Sequence, residues 1–133
     1  MNQFLLLIRG IPGSGKSTYA KSILKLYQDA GKPVCHYEAD MYFIDFGGSY
    51  LFDPTRLKDA HNWCQTCVKI SLKSGFSCIV SNTFIKKWEL QPYIDMASSL
   101  KIPVTIITME GKYGNIHGVP DEKIQQMIKN FER

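Results

Sequence analysis

Short apolar strands alternating with amphipathic helices predict an α/β fold of three layers, a parallel sheet covered by helices on both faces. Three observations carry this expectation. Apolar runs at Gln3–Arg9, Val34–Glu38, Phe76–Val80 and Ile102–Thr108 have the length and composition of buried strands. Segments of helical period lie between them. The connections are short, as such units require, with no repeat, low-complexity tract or interdomain linker.

The first strand runs into Gly10-Ile11-Pro12-Gly13-Ser14-Gly15-Lys16-Ser17-Thr18, a match to GxxxxGK[ST]. Tyr19–Tyr27 follows, with Ile23, Leu24 and Tyr27 on one helical face. Strand, glycine-rich turn and helix form the context in which this pattern binds phosphate. Gly10, Gly13 and Gly15 free the backbone and let its N–H groups approach phosphate oxygens, with Pro12 and Ser14 completing the loop. The opening turn of the helix, through Thr18, adds unpaired N–H groups and the positive end of its dipole. Lys16 can set an ammonium on the β- and γ-phosphates, and Ser17 offers a hydroxyl to Mg²⁺. The stretch predicts binding of a nucleoside triphosphate such as ATP, with Mg²⁺.

Further along, Gly31 and Pro33 end the first helix. The second strand, Val34–Glu38, gives way to Ala39–Phe43, where Asp40 lies at a strand's carboxyl end, the ligand-binding edge of such sheets. Ile44–Phe52 has paired glycines, aromatics and no clear period, so it reads as a loop able to close over the site. Asp53 caps the next helix and Pro54 opens it. Leu57, Ala60, His61, Cys64, Cys67, Val68 and Leu72 recur at helical spacing to Lys73, and Gly75 closes the helix. The third strand, Phe76–Val80, ends at Ser81-Asn82-Thr83. A carboxylate that assists Mg²⁺ usually stands there, and Ser81 supplies a hydroxyl without charge. A third helix runs from Lys86–Glu89 to about Ser99, with Pro92 in its opening turns. After the fourth strand and Met109–Gly114, Pro120-Asp121-Glu122 opens a last helix with Ile124, Met127, Ile128 and Phe131 on its apolar face.

Length and composition set the bounds. The 133 residues suit one domain, 1–133, with an ordinary 44% hydrophobic and 21% charged content. No apolar run reaches membrane-spanning length and Met1-Asn2-Gln3 lacks a basic leader, so a cytoplasmic protein without a membrane partner is expected. The net charge of +4 is mild, and no basic run exceeds Lys86-Lys87, which excludes an electrostatic stripe for duplex nucleic acid. Cys64 and Cys67 with His61 form no complete zinc pattern, so Cys35, Cys64, Cys67 and Cys78 read as reduced, buried thiols. Trp63, Trp88 and Tyr93, set in helical segments, read as core.

Over nearly its whole length the chain resembles the small P-loop kinases related to the kinase domain of phage polynucleotide kinase. Within them it is similar to the AAA-type kinase-like domains attached to Nedd-binding proteins. The resemblance rests on Gly10–Thr18, Asp40, Tyr50–Leu57 with Ala60-His61, Ser81-Asn82-Thr83, Trp88–Leu90 with Pro92-Tyr93, and Asn115–Pro120. It implies a P-loop NTPase fold with strand order 2-3-1-4 and Asp40 as the base that deprotonates an attacking hydroxyl. It also implies nucleotide contacts from Asn82 and His117, although His117 reads equally as a cap before the last helix. The third-strand carboxylate of the family is Ser81 here, which leaves Ser81 and Ser17 as the metal-side residues. The helical lid with arginines is reduced or absent, since Met109–Gly114 carries none. Lys112 is the candidate to replace a lid arginine, and reads equally as a solvated lysine. Arg9, Arg56 and Arg133 are the only arginines.

The phosphate loop with Asp40 predicts transfer of the γ-phosphoryl group of ATP to a hydroxyl, and the resemblance implies as foremost acceptor the 5′-hydroxyl of single-stranded nucleic acid. A small-molecule kinase of nucleoside type and a nucleotide-binding module with weak ATPase activity stand as alternatives. The sequence does not decide the oligomeric state.

Overall fold

In a computed structural model that describes residues 2–111 and 119–133, four strands form one parallel sheet in the order β2-β3-β1-β4. The strands are β1 Leu5–Arg9, β2 Val34–Tyr37, β3 Ser77–Asn82 and β4 Val104–Thr108. The helices are α1 Lys16–Asp29, α2 Leu57–Lys73, α3 Gln91–Ser99 and α4 Asp121–Asn130. Sheet order and helix placement are those the sequence and its resemblance implied.

Side chains of β1 alternate between two cores, which is why the strand reads as a continuous apolar run. Leu5 and Leu7 pack with Cys64, Val68, Leu72, Tyr93 and Ala97 of α2 and α3. Leu6 and Ile8 face the other way, onto Ala20, Ile23, Leu24 and Tyr27 of α1. Both faces of the central strand are therefore dry, and truncating Leu7, fully buried, to alanine costs about 2–5 kcal/mol.

Register carries the functional consequence. Arg9 lies beside Asn82 on one side and Thr108 on the other, and Tyr37 lies beside Val80. All four strands point the same way, so the segments after them leave from one edge of the sheet.

Several details depart from the sequence expectation. Strand β3 continues through Ser81 and Asn82, so both residues are locked into the sheet instead of standing in a loop. Residues 44–52 form a tied turn: Ile44 bridges Tyr50, Asp45 Oδ1 accepts from Gly47 N and Ser49 N at 2.9 Å, and Leu51 N donates to Phe43 O at 2.8 Å. Trp88 is 71% exposed, because its segment is a 3₁₀ turn, Lys87–Glu89, ahead of α3 instead of an inward helical face. Tyr93 is buried as expected and Trp63 half-buried. None of α4 is buried, and in the edge strand β4 Ile106 stands 43% exposed. Asp53 does cap its turn, accepting from Thr55 N at 3.0 Å with Pro54 next to it.

The cysteines are free thiols: Cys64 and Cys78 buried, Cys35 and Cys67 partly so. Burial pushes Cys78 up to about 12 and raises Cys64 as well. Only thiolate reacts with alkylating reagents. At pH 8, peptide mapping after iodoacetamide treatment should therefore find Cys35 and Cys67 labelled first. Cys64 and Cys78 should label only as fast as the protein unfolds, and immediate labelling of Cys78 would contradict this packing.

Candidate functional site

The loop between β1 and α1 is built on two left-handed glycines, Gly13 at φ 82° and Gly15 at φ 88°. A side chain at either would be strained there. Gly15 is the residue ahead of α1, which has no side-chain cap and no acidic residue in its first turn. Among the described residues no side chain caps its leading N–H groups, and its first turn carries no carboxylate. Gly10 is required for a different reason than expected. A Cβ there would lie 2.4 Å from Ser14 Oγ and 2.7 Å from Met109 O, so close packing, not a left-handed backbone, excludes a side chain. Pro12 and Ser14 are buried in the loop, while Thr18 is exposed.

Lys16 is 8% exposed. Burial pulls its ammonium below the ordinary lysine value, and the carboxylates of Glu38 and then Asp40 oppose that shift. Both acids therefore lie close enough to act on Lys16. Ser17 Oγ donates to Glu38 Oε2 at 2.6 Å. A hydroxyl has one proton and two lone pairs, so this bond leaves lone pairs of Ser17 available to a cation. The serine at the start of α1 thus fits the role of Mg²⁺ ligand.

Asp40 sits in a 3₁₀ turn, Ala39–Phe43, directly beyond β2. Tyr50 O–H donates to Asp40 Oδ1 at 3.3 Å, and burial together with Asp40 pushes the phenol up to about 12, so it remains a donor. Phe43 anchors the turn in the core, and Tyr50 and Phe52 stack on each other with centroids 6.2 Å apart, both partly exposed. Asp40 thus lies on a turn beyond β2, bonded to one of two exposed aromatics.

Two residues of β3 hold bonds within the protein. Ser81, expected on the metal side, is 1% exposed and shares a 2.7 Å hydrogen bond with His36 Nε2 of the neighbouring strand. Asn82, expected at the nucleotide, accepts from Ala39 N at 2.8 Å and donates to Cys64 Sγ at 3.8 Å. Its place in β3 turns it toward the start of the Asp40 turn, where it holds that turn against the sheet.

The arginines are also engaged. Arg9, 3% exposed, donates to Phe84 O at 2.6 Å and 3.1 Å and to Ile85 O at 3.3 Å, with the Phe131 ring 4.2 Å from its guanidinium carbon. It supports Phe84, whose φ of 46° is unusual for a residue with a side chain. Arg56 pairs with Asp59 at 3.1 Å, and Arg133 pairs with Glu110. Lys112 and His117 lie outside the described residues.

Glu38 is the residue that sequence reasoning missed. It was read only as the end of a strand. The available signal was the pair of positions taken together: an acid absent at Ser81, and an extra one at the end of the neighbouring strand.

Fold and site together define a P-loop domain of the kinase-like kind. The chain belongs to the AAA domain family, which residues 5–116 match. Human NEDD4-binding protein 2 is 33% identical over 139 residues, 97% of this chain but only 8% of that protein. The chain thus spans a small part of that relative. Among solved structures, Chaetomium thermophilum Kti12 in complex with ADP-AlF3 superposes with a TM-score of 0.73 at 14% identity, covering 97% of this chain and 80% of that one. A chain of the Pnkp1/Rnl/Hen1 complex superposes with a TM-score of 0.66 at 19% identity, covering 94% and 38%. At such identities these two likenesses establish the fold. Among the described residues, no helix is long and apolar enough to cross a membrane.

Two predictions follow from the bonds around β2 and β3. Asn82→Ala strips a buried N–H of its acceptor and should cost about 1–3 kcal/mol in denaturant unfolding. Burial holds His36 below its ordinary value, against the opposing pull of Glu38. The unfolded chain takes up a proton near pH 6.5 that the folded ring resists. The stability this contributes is full above that pH and is lost as pH falls toward the lowered folded value. Melting temperature should therefore drop more steeply between pH 7 and pH 5 in the unsubstituted protein than in His36→Gln.

Proposed function

We propose that the protein binds ATP with Mg²⁺ at the loop Gly10–Thr18 and transfers the γ-phosphoryl group to a hydroxyl, with Asp40 as the base. The observation that carries this reading is the convergence on Lys16. A buried lysine at the start of a helix adjoins Ser17, which is tied to Glu38, and Asp40 follows two residues after Glu38 on a turn beside exposed aromatics. In the reaction an acceptor oxygen attacks the γ-phosphorus, the bond from that phosphorus to the bridging oxygen breaks, and ADP leaves. Asp40 takes the acceptor's proton, and Lys16 offsets charge on the phosphate oxygens.

The acceptor favoured is a 5′-hydroxyl of single-stranded nucleic acid. Tyr50 and Phe52, stacked and partly exposed next to Asp40, suit the face of a nucleobase. The Pnkp1-containing neighbour is consistent with that choice. One observation favours a slower module: among the described residues each arginine is bound elsewhere, and none is shown reaching the phosphate loop. Phosphoryl transfer without a guanidinium on the equatorial oxygens should run below the ~1–100 s⁻¹ common for kinases. Lys112 is proposed as the remaining cation of the lid segment and His117 as a nucleotide contact.

Incubation with γ-labelled ATP and a panel of 5′-hydroxyl oligonucleotides, nucleosides and water tests the reading, since the labelled product names the acceptor. Asp40→Asn should retain ATP binding and lower transfer by about 10²–10⁴-fold. Lys16→Ala should lose both. Full transfer by Asp40→Asn would remove the base from the mechanism.

A further inference from the structure

The third-strand position that in P-loop proteins holds a magnesium-assisting carboxylate is Ser81, buried and bonded to His36. The acid is not missing from the site. Glu38, one residue beyond β2, accepts the Ser17 hydroxyl proton at 2.6 Å. Its side chain is 13% exposed, and its other oxygen lies 3.9 Å from His36 Nε2. His36 thus stands between the two positions, against Ser81 on one side and near Glu38 on the other.

We propose that the magnesium-site carboxylate has been transposed from β3 to the end of β2, and that Glu38 fills it. Three physical points support the assignment. Glu38 fixes the Ser17 hydroxyl with its proton turned toward the carboxylate, so the oxygen's lone pairs remain for the cation. It places a negative charge next to the metal position without occupying it, which suits Mg²⁺, an ion that keeps several waters and uses one or two carboxylates with substrate phosphates. Third, among the described residues no cluster of three or more His, Cys, Asp or Glu is placed to bind an ion alone, so a cation at Ser17 would draw on that hydroxyl and nucleotide oxygens beside the Glu38 charge. Asp40 is thereby left to the acceptor side. Glu38 acts through Ser17 and metal-bound water and is a positioning residue.

The assignment rests on the phosphate-loop reading and not on the kinase reading. Its test is equilibrium binding of a fluorescent ATP analogue, with EDTA and across a Mg²⁺ titration, on the full chain. Glu38→Gln keeps an acceptor for Ser17 and removes only the charge. It should bind the analogue in EDTA as the unsubstituted protein does, keep its melting temperature, and need about 10–100-fold more Mg²⁺ for half-saturation. An unchanged Mg²⁺ requirement overturns the proposal. So does equal weakening with and without metal, which would mean that Glu38 only shapes the loop. If the unsubstituted protein binds no analogue in either condition, the phosphate-loop reading and this assignment fall together. Tight Mg²⁺-dependent binding without phosphoryl transfer to any acceptor sinks the kinase reading alone.

Discussion

Everything at the site depends on β1 being held dry between β3 and β4. A parallel strand bonded on both sides has no freedom to shift register, because a slip of one residue would exchange Leu5 and Leu7 for Leu6 and Ile8 across the two cores. The backbone at Arg9 is therefore fixed, and the phosphate loop begins at a defined point. Gly10 N donates to Thr83 O at 3.2 Å and Met109 N to Arg9 O at 2.7 Å, so neighbouring strands clamp the loop's first residue. Preorganisation of this kind is what lets a short loop present several N–H groups at once.

On that scaffold the electrostatics are kept in tension. Burying Lys16 disfavours its charge, and Glu38 and Asp40 restore part of what burial removes. A bound polyphosphate would supply the larger counter-charge, so the lysine is less well satisfied in the free protein than in a loaded one. The two acids differ in position: Glu38 is tied to the helix that carries Ser17, and Asp40, in the first turn of the 3₁₀ segment, accepts from Tyr50.

The strands, the helices and the phosphate loop were legible because each rests on a local signal, either apolar run length, helical period or a glycine pattern, whereas the sheet order came from the family resemblance. What was hidden depended on partners distant in sequence. Gly10 looked like its fellow glycines, yet it answers to Ser14 and Met109. Asn82 stands in a motif, and a strand extended by two residues sets it against Ala39, a bond no local pattern announces. Glu38 could not be told from an ordinary strand end until Ser17, twenty-one positions earlier, was found against it. Trp88 shows the converse: helical spacing implied an inward face, and the turn before Pro92 gave it to solvent.

Helix α4 keeps no fully buried residue, with Ile124 and Met127 half-buried, and the chain just past its C-terminal end is fastened to the domain. Glu132 N donates to Ile85 O at 2.8 Å, Glu132 Oε1 accepts from Lys87 N at 2.8 Å, and Phe131 lies on the Arg9 guanidinium. An element with no fully buried residue opens at a free energy well below that of the sheet. In amide hydrogen exchange, α4 should thus form a separate, early-exchanging unit, while β1 and β3 retain their protons until the whole domain unfolds. The same opening uncovers Arg9, a cation otherwise sealed under an aromatic ring, so the stability of the turn at Phe84 is coupled to whether this last helix is docked.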